Sequence, residues 1–264
     1  MSRSNPSPLL LPVANRPGNQ NNHKNMDDEY LFISDCHLDS GRPNIARALT
    51  EFLQTRAARA RRLYILGDLF EVWLGDDDPT HRETRVIDSL RHLVSSCDVY
   101  FMAGNRDFLL GEAFASYVGM TLLNEPLLLQ LGQSRVALLH GDSLCTDDHD
   151  YQAFRSMVRD PDWTAEFLAR PLVERQQIAA QLRSDSVAAM SAKASEIMDV
   201  NARAVEECFD ENRVDVIIHG HTHRPAMHHY ESNLTRIVLG DWVDEPSFLS
   251  WKPESGFVLS DPRL

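Results

Sequence analysis

The sequence predicts an α/β protein whose functional site lies at the carboxyl edge of its strands. Residues 62–70 form an apolar run that contains Gly67-Asp68, as a buried parallel strand does when it delivers a carboxylate to a sheet edge. Four further apolar runs end in possible metal ligands, at residues 31–37, 99–105, 136–140 and 214–221. Because α/β proteins bind ligands at this edge, we expect these side chains to form one site.

The composition of the chain is that of an ordinary soluble globular protein. Its 264 residues suffice for one large domain with an insertion, and 43% of them are hydrophobic and 25% charged. The formal net charge of -13 disfavours binding to nucleic acid through the overall field, so we expect no nucleic-acid partner. The four cysteines form no CxxC pair, which favours reduced thiols and a cytoplasmic location.

The chain divides into three predicted regions. Residues 1–28 are rich in Asn, Pro and Ser, which favours a disordered N-terminal extension. Residues 29–144 and 210–264 carry the strand signals and form the predicted core. Residues 145–209 carry only helical patterns, so we expect a helical insertion, or cap, beside the site. Its aromatic and aliphatic side chains either line a groove for an apolar substrate or simply pack together, and both interpretations stay open.

The spacing of apolar residues predicts individual elements of the core. A helix over residues 44–59 connects the first two strands, and a hairpin turns at Gly132-Gln133. The acidic triplet at residues 76–78 is more typical of a turn cap than of a cation site. We expect the strands at residues 236–239 and 256–259 to complete a second sheet.

Two pairs of candidate ligands are separated by a single residue. In an extended segment alternate side chains share a face, so Asp35 and His37 can point to one metal ion. The same argument applies to His219 and His221 after the last apolar run. We expect His223 to lie further out, at the surface or behind the ligands.

Seven side chains form the predicted metal site. Their oxygen and imidazole donors, without thiolate, favour Mn²⁺, Fe²⁺, Zn²⁺ or similar ions. Seven ligands exceed what one ion needs, so we expect two ions that share Asp68, which stands alone at its strand end. Two such ions clamp a phosphate and supply a hydroxide for in-line attack. The predicted ligands are Asp35, His37, Asp68, Asn105, His140, His219 and His221.

The strand ends resemble the five sequence blocks of the calcineurin-like metallophosphoesterases. The matching segments are Asp35-x-His37, Gly67-Asp68, Gly104-Asn105, His140-Gly141-Asp142 and His219-Gly220-His221. The resemblance implies a four-layer αββα sandwich and, by motif position, two sets of metal ligands. One set is Asp35, His37, Asp68 and His221. The other set is Asp68, Asn105, His140 and His219.

Longer blocks resemble a branch of that family that hydrolyses a UDP-linked diacylated glucosamine lipid. These blocks include residues 67–77, 104–111, 140–148 and 197–201. The resemblance implies a lipid A biosynthesis enzyme with two Mn²⁺ ions, peripheral on the cytoplasmic face of the inner membrane. The implied reaction is attack of metal-activated water on the α-phosphorus of the pyrophosphate, which yields UMP and 2,3-diacylglucosamine 1-phosphate.

The same resemblance implies a set of substrate contacts inside and outside the predicted insertion. One position departs from the pattern, because the segment 188–191 normally contains an Asn where this chain has Met190. An amide contact to the substrate is therefore missing or replaced. The implied contacts are Asn105, Arg106, Asp148, Ser186, Lys193 and His219.

Arg106 bears independently on the leaving group. Many relatives carry a histidine after the Asn, which protonates a poor alkoxide leaving group, whereas a guanidinium with a pKa above ~12 cannot act as an acid. We therefore expect a good leaving group, such as the phosphate end of a pyrophosphate. The alternatives are a phosphodiesterase or nuclease of the same family acting on another nucleotide substrate, and a metal-binding scaffold without catalysis.

Overall fold

The computed structural model describes residues 27–81, 84–191 and 199–264. Within these residues the strands form two sheets, one of six and one of five strands. The strands are β1 (Asp27–Ile33), β2 (Ala60–Leu66), β3 (Asp98–Met102), β4 (Thr121–Leu123), β5 (Leu127–Leu131), β6 (Ser134–Leu138), β7 (Val216–His219), β8 (Ala226–His229), β9 (Thr235–Val238), β10 (Phe248–Lys252) and β11 (Gly256–Ser260). The first sheet has the order β11-β10-β1-β2-β3-β4 and the second β5-β6-β7-β9-β8.

Seven α-helices lie in the described part of the chain. They are α1 (Pro43–Thr55), α2 (Arg85–Leu93), α3 (Glu112–Val118), α4 (His149–Val158), α5 (Pro161–Leu168), α6 (Leu172–Ser191) and α7 (Ala202–Asn212). None of these helices combines the length and the apolar character that crossing a membrane requires.

Side chains that alternate across each strand build separate layers of core. On β1, Leu31 and Ile33 pack against α1, α2 and α3, while Phe32 points to the second sheet, and all three are fully buried. On β7, Ile218 faces the first sheet and Ile217 packs against α7. Three helices therefore cover one sheet and α7 covers the other, which confirms the predicted four-layer αββα sandwich.

The helical insertion between β6 and β7 packs on the core. Phe167 of α5 is buried in the layer that α1–α3 share with the first sheet, and Trp163 packs on Phe108 with ring centroids 6.4 Å apart. Packing therefore explains this aromatic patch better than a groove does. Helix α7 contacts the second sheet through Val205 and Phe209, so the core resumes before the predicted residue 210.

Several other predicted elements can be compared with the structure. The hairpin at Gly132-Gln133 is confirmed, because β5 and β6 pair around it. The prediction that β11 completes the second sheet is wrong: β10 pairs with β1, and the short connection keeps β11 beside β10 in the first sheet. The predicted N-terminal extension lies outside the described residues, except that residues 27 and 28 begin β1.

The acidic triplet at residues 76–78 has the structural role that the sequence favours. Asp76 accepts hydrogen bonds from the backbone N–H groups of Gly111 and Phe114 at the start of α3, both at 2.9 Å. Asp77 forms an ion pair with the buried Arg175 of α6, and Asp78 accepts a hydrogen bond from the backbone of Thr80 at 2.9 Å. The triplet thus stabilises a loop and fixes the insertion to the core.

Candidate metal centre

Five parallel strands end at the same edge of the sandwich and bring the candidate ligands together. β1, β2 and β3 of the first sheet run parallel, as do β6 and β7 of the second. Backbone hydrogen bonds connect the loops that follow these strands: His37 N donates to Asp68 O at 2.9 Å, and Gly220 N donates to His140 O at 2.8 Å. The relative positions of the ligand-bearing loops are therefore fixed by the sheets.

A first group of donor atoms surrounds Asp35. His37 Nε2 lies 3.9 Å from Asp35 Oδ1, and His223 Nε2 lies 3.3 Å from the same oxygen. The other oxygen, Oδ2, accepts hydrogen bonds from Ser34 Oγ at 2.5 Å and from the backbone of His221 at 2.9 Å. Oδ1 has no hydrogen-bond donor of regular geometry among the described residues. A buried carboxylate oxygen that faces two imidazole nitrogens fits a metal ion between them.

A second group of donor atoms surrounds Asn105. His140 Nε2 lies 3.0 Å from Asn105 Oδ1, and His221 Nδ1 lies 2.9 Å from the same oxygen. His140 Nδ1 lies 2.8 Å from the carbonyl oxygen of Leu66, so it donates there and directs Nε2 toward the group, where a metal ion can replace its proton. The amide oxygen and the two imidazoles have the chemistry of a second metal site.

Asp68 lies between the two groups. Its Oδ2 is 3.8 Å from His37 Nε2, and its Oδ1 is 3.7 Å from His140 Nε2. The carboxylate is 2% exposed, so it has little access to solvent at either oxygen. Each oxygen thus faces one group, which is the arrangement expected of a carboxylate shared by two ions.

The backbone at the centre is left-handed at five of these side chains. The φ angles of Asp35, His37, Asp68, His221 and His223 lie between 49 and 67°. Such angles are uncommon for residues other than glycine and cluster at functional sites. Alternation along an extended segment therefore does not explain why Asp35 and His37 meet, although the sequence prediction that they meet is correct.

His219, which the sequence predicts as a metal ligand and substrate contact, does not join the centre. It is the last residue of β7 and shares the outer face of the second sheet with Ile217. Its Nε2 lies 3.1 Å from Arg236 Nη1 and its Nδ1 2.9 Å from the carbonyl oxygen of Gly220. The strand ends at Gly220, and the left-handed backbone beyond it turns His221 and His223 to the carboxylates. The prediction of His219 is therefore wrong. His221 lies beside Asn105 and His140, where the resemblance implies His219, and His223 lies beside Asp35 and His37, where it implies His221.

The charges of the centre favour a bound cation. Burial alone would lower the pKa of His140, but the carboxylates of Asp68, Asp142 and Asp35 raise it to about 9. Burial would likewise raise the pKa of Asp35, but the hydrogen bond and charge of His223 hold it below its ordinary value. The pKa of His223 is raised as well, so His140 and His223 favour the protonated state next to these carboxylates, and a metal ion supplies the same compensation when it replaces the protons. His221 differs, because burial and the charge of His140 lower its pKa to about 4.

Two carboxylates outside the set of proposed ligands hold those ligands in position. Asp107 accepts hydrogen bonds from the backbone of Leu69 at 2.8 Å and of Gly104 at 2.8 Å, so it connects the loops of Asp68 and Asn105. Glu71 Oε2 lies 2.9 Å from Nδ1 of His37, outside regular hydrogen-bond geometry, and its negative charge favours the proton on Nδ1 and leaves Nε2 for a metal. The role of Glu71 is not apparent from the sequence pattern.

A further network connects the insertion to the His140 loop. Asp142 Oδ2 accepts hydrogen bonds from Tyr151 Oη at 2.7 Å and from Arg155 Nε at 2.8 Å. Arg159 Nη2 lies 3.4 Å from the same oxygen and donates to the carbonyl of Gly104 at 3.1 Å. Helix α4 and Arg159 at its end therefore contact Asp142 and Gly104, which lie close in the chain to the ligands His140 and Asn105. The spacing of the two arginines, four residues apart on one helix face, is the signal from which this network could have been predicted.

The remaining predicted substrate contacts have different positions. Arg106 forms no ion pair with any carboxylate of the described residues, and its Nε has no hydrogen-bond partner there. Asp148 caps α4 by accepting a hydrogen bond from the backbone of Tyr151 at 3.1 Å. Ser186 lies in α6, but its side chain, like all of Lys193, is outside the described residues.

The fold and this centre define a metallophosphoesterase, and comparison with known proteins agrees. Residues 29–225 match the family described as Calcineurin-like phosphoesterase, and the chain belongs to this family. It is 49% identical over 216 residues to UDP-2,3-diacylglucosamine hydrolase of Chromohalobacter salexigens, a match that covers 80% of this chain and 88% of that protein. It is 46% identical over 236 residues to the protein of the same name from Klebsiella pneumoniae, covering 88% and 98% of the two chains.

Proposed function

We propose that this protein hydrolyses the pyrophosphate bond of UDP-2,3-diacylglucosamine, a step of lipid A biosynthesis, to give UMP and 2,3-diacylglucosamine 1-phosphate. The observation that carries the proposal is the position of Asp68, whose two oxygens face separate sets of metal-binding side chains. Such a site suits reaction at phosphorus. The relatives named UDP-2,3-diacylglucosamine hydrolase support the choice of substrate, because the similarity extends over most of both chains.

Two divalent ions fit the donor atoms of the centre, and we assign manganese. One ion would be held by Asp35, His37, Asp68 and His223, and the other by Asp68, Asn105, His140 and His221. The set of four imidazoles, two carboxylates and one amide, without thiolate, suits manganese or another borderline ion. When bound, such a pair of ions supplies a nucleophilic hydroxide and neutralises charge on the phosphate.

The chain's own residues prepare the site for a diphosphate. Oxygen atoms next to Nδ1 of His37 and His140, from Glu71 and Leu66, favour protons there, so both rings present Nε2 to the centre. Arg106 directly follows Asn105, and its guanidinium has no carboxylate partner among the described residues. We assign it to bind the phosphate next to the leaving group, where its permanent charge stabilises the transition state without transferring a proton.

We also propose that the insertion contributes substrate contacts through Asp148, Ser186 and Lys193, as the sequence resemblance implies. A lipid substrate requires that the protein meets a membrane surface, so we propose peripheral association with the cytoplasmic face of the inner membrane. Flotation with vesicles of inner-membrane lipids tests the association. Protein that stays at the bottom of the gradient with every vesicle composition would contradict it.

The experiment that tests the function uses protein stripped of metal by a chelator. We expect UMP release from UDP-2,3-diacylglucosamine after Mn²⁺ is restored, and none from UDP-N-acetylglucosamine, which lacks the acyl chains. Zn²⁺ and Mg²⁺ added in parallel test the choice of metal. Activity on neither UDP-sugar, together with hydrolysis of bis-p-nitrophenyl phosphate, would instead indicate a phosphodiesterase with another substrate.

A further inference from the structure

A cavity of about 260 Å³ opens on the outer face of the second sheet. It is bounded by β8 and β9, by the loop that follows His221 and by residues near the end of the described chain. In the register of β8 and β9, His228 lies opposite Arg236 on the same face, and Ala226 lies opposite Val238. The polar side chains of its wall are Asp199, Thr222, Arg224, His228, Arg236 and Arg263.

Arg236 brings an uncompensated charge to this cavity. Its side chain belongs to a residue that is only 8% exposed. Its Nε donates to Tyr230 Oη at 3.0 Å and its Nη1 to His219 Nε2 at 3.1 Å, and no carboxylate of the described residues pairs with it. By contrast Arg175, which is 2% exposed, forms an ion pair with Asp77. Buried guanidinium groups are normally paired with an anion.

Neither partner of Arg236 supplies the missing negative charge. His219 donates from Nδ1 to the carbonyl oxygen of Gly220 at 2.9 Å, so its Nε2 is a neutral acceptor for Arg236. The Tyr230 hydroxyl is also neutral. These two groups fix the direction of the guanidinium without neutralising it.

The neighbouring side chains complete a set of donors for an anion. Thr222 Oγ1 is buried and has no hydrogen-bond partner among the described residues. Arg224 and Arg263 add positive charge at the cavity wall, although Asp199 pairs with Arg224 and Asp241 and Asp261 pair with Arg263. Arg236 is therefore the arginine of this wall that no carboxylate of the described residues pairs with.

We propose that this cavity is a binding site for a phosphate group, separate from the metal centre. The guanidinium of Arg236 provides the planar donors that phosphate binds well, and the Thr222 hydroxyl provides a further donor. Thr222 lies between His221 and His223 in the chain, so an anion bound here contacts the loop that carries two of the proposed metal ligands. The phosphate belongs either to a soluble metabolite or to a lipid headgroup.

The location of the site is tested by crystals of the full-length manganese-loaded protein soaked in tungstate, a phosphate analogue with strong anomalous scattering. We expect an anomalous peak within hydrogen-bond distance of Arg236 in addition to any peak at the metal centre. Arg236→Gln should lose only the cavity peak. A peak at the metal centre alone would overturn the proposal.

Thermal denaturation with inorganic phosphate provides the solution test. Phosphate bound at the metal centre raises Tm equally in all variants. Any difference in the phosphate-dependent rise in Tm between Arg236→Gln and Arg61→Gln therefore reports phosphate bound in the cavity. Arg61 is a matched control, because it is an exposed arginine of the first sheet paired with Asp28. We expect a smaller phosphate-dependent rise in Arg236→Gln and, as a second variant at the cavity wall, in Arg224→Gln. Equal rises in all three variants would refute the site.

The source of the phosphate is tested with vesicles of phosphatidylglycerol and, as a control, phosphatidylcholine. If the cavity binds a headgroup, Arg236→Gln floats less than Arg61→Gln with phosphatidylglycerol and equally with phosphatidylcholine. Equal flotation of both variants, together with the Tm difference, supports the cavity as a site for a soluble phosphate compound.

Discussion

The metal centre and the outer-face cavity each lie beside buried histidines, but the charges next to those histidines are opposite. At the metal centre His140 and His223 lie beside buried carboxylates. On the outer face His219 lies beside Arg236, and its pKa is lowered to about 3 by burial and by that charge. The comparison shows that the charge next to an imidazole, more than the histidine motif itself, decides its role. Beside carboxylates the imidazole is placed to bind a metal ion, and beside Arg236 it accepts a hydrogen bond from a guanidinium.

The largest effect is expected from removing the carboxylate shared by both proposed ions. Asp68→Ala should lose both ions and lower kcat/KM by about 10³-fold or more, since two-metal stabilisation contributes several kcal/mol. Metal content measured by mass spectrometry, together with UMP release, checks this. A folded variant that retained two ions and turned over would contradict the shared position of Asp68.

Two substitutions test whether His223 binds metal and His219 does not. His223→Ala should lose one ion and lower kcat roughly 10²-fold or more, because a proposed ligand is removed. His219→Gln retains an acceptor for Arg236 and should keep its metal content and an activity within about threefold of the parent. Loss of metal from the His219 variant alone would restore the assignment expected from the sequence.

A smaller effect is expected from the group that orients a ligand. Glu71→Gln should weaken metal affinity by about 10- to 100-fold, because the amide lacks the negative charge that favours the proton on His37 Nδ1 and makes Nε2 a stronger ligand. Titration of metal-free protein with Mn²⁺, followed by activity, measures the shift. Full activity at saturating Mn²⁺ would be consistent with an orienting role, whereas unchanged affinity would exclude it.

The smallest effect concerns stability and pH. In the folded protein the pKa of His219 is lowered from 6.5 to about 3, so below pH about 6.5 the unfolded chain takes up a proton that the folded chain does not. Neutral His219 therefore makes its full contribution to the free energy of unfolding above that pH. Below it, the free energy of unfolding falls by up to about 1.4 kcal/mol per pH unit, until the pH reaches the pKa of His219 in the folded protein.

Urea unfolding of the parent and of His219→Gln, at several pH values between about 7 and 5, measures this contribution. The free energy of unfolding of the parent should fall more steeply toward acid than that of the variant. Parallel pH dependences would show that His219 is not held neutral by its partners.

Local sequence patterns predicted most of the fold because each ligand-bearing strand combines an apolar run with a polar end. Two errors have different causes, one in long-range strand pairing and one in the local backbone conformation. β11 joins the first sheet because its partner β10 pairs with β1, for example Trp251 with Tyr30, a contact that no local pattern encodes. The proposed ligand pair is His221 and His223 instead of His219 and His221 because the backbone beyond Gly220 is left-handed, which breaks the alternation used to predict the pair.

The contacts between insertion and core have a consequence for protein engineering and evolution. Four arginines of the insertion each bind an acceptor of the core: Arg155 and Arg159 at Asp142, Arg175 at Asp77, and Arg183 at Glu71. Two of these acceptors adjoin the proposed ligands His37 and His140. The insertion is therefore not an exchangeable module, and a chimera that carries the insertion of a distant relative must carry the matching carboxylates as well.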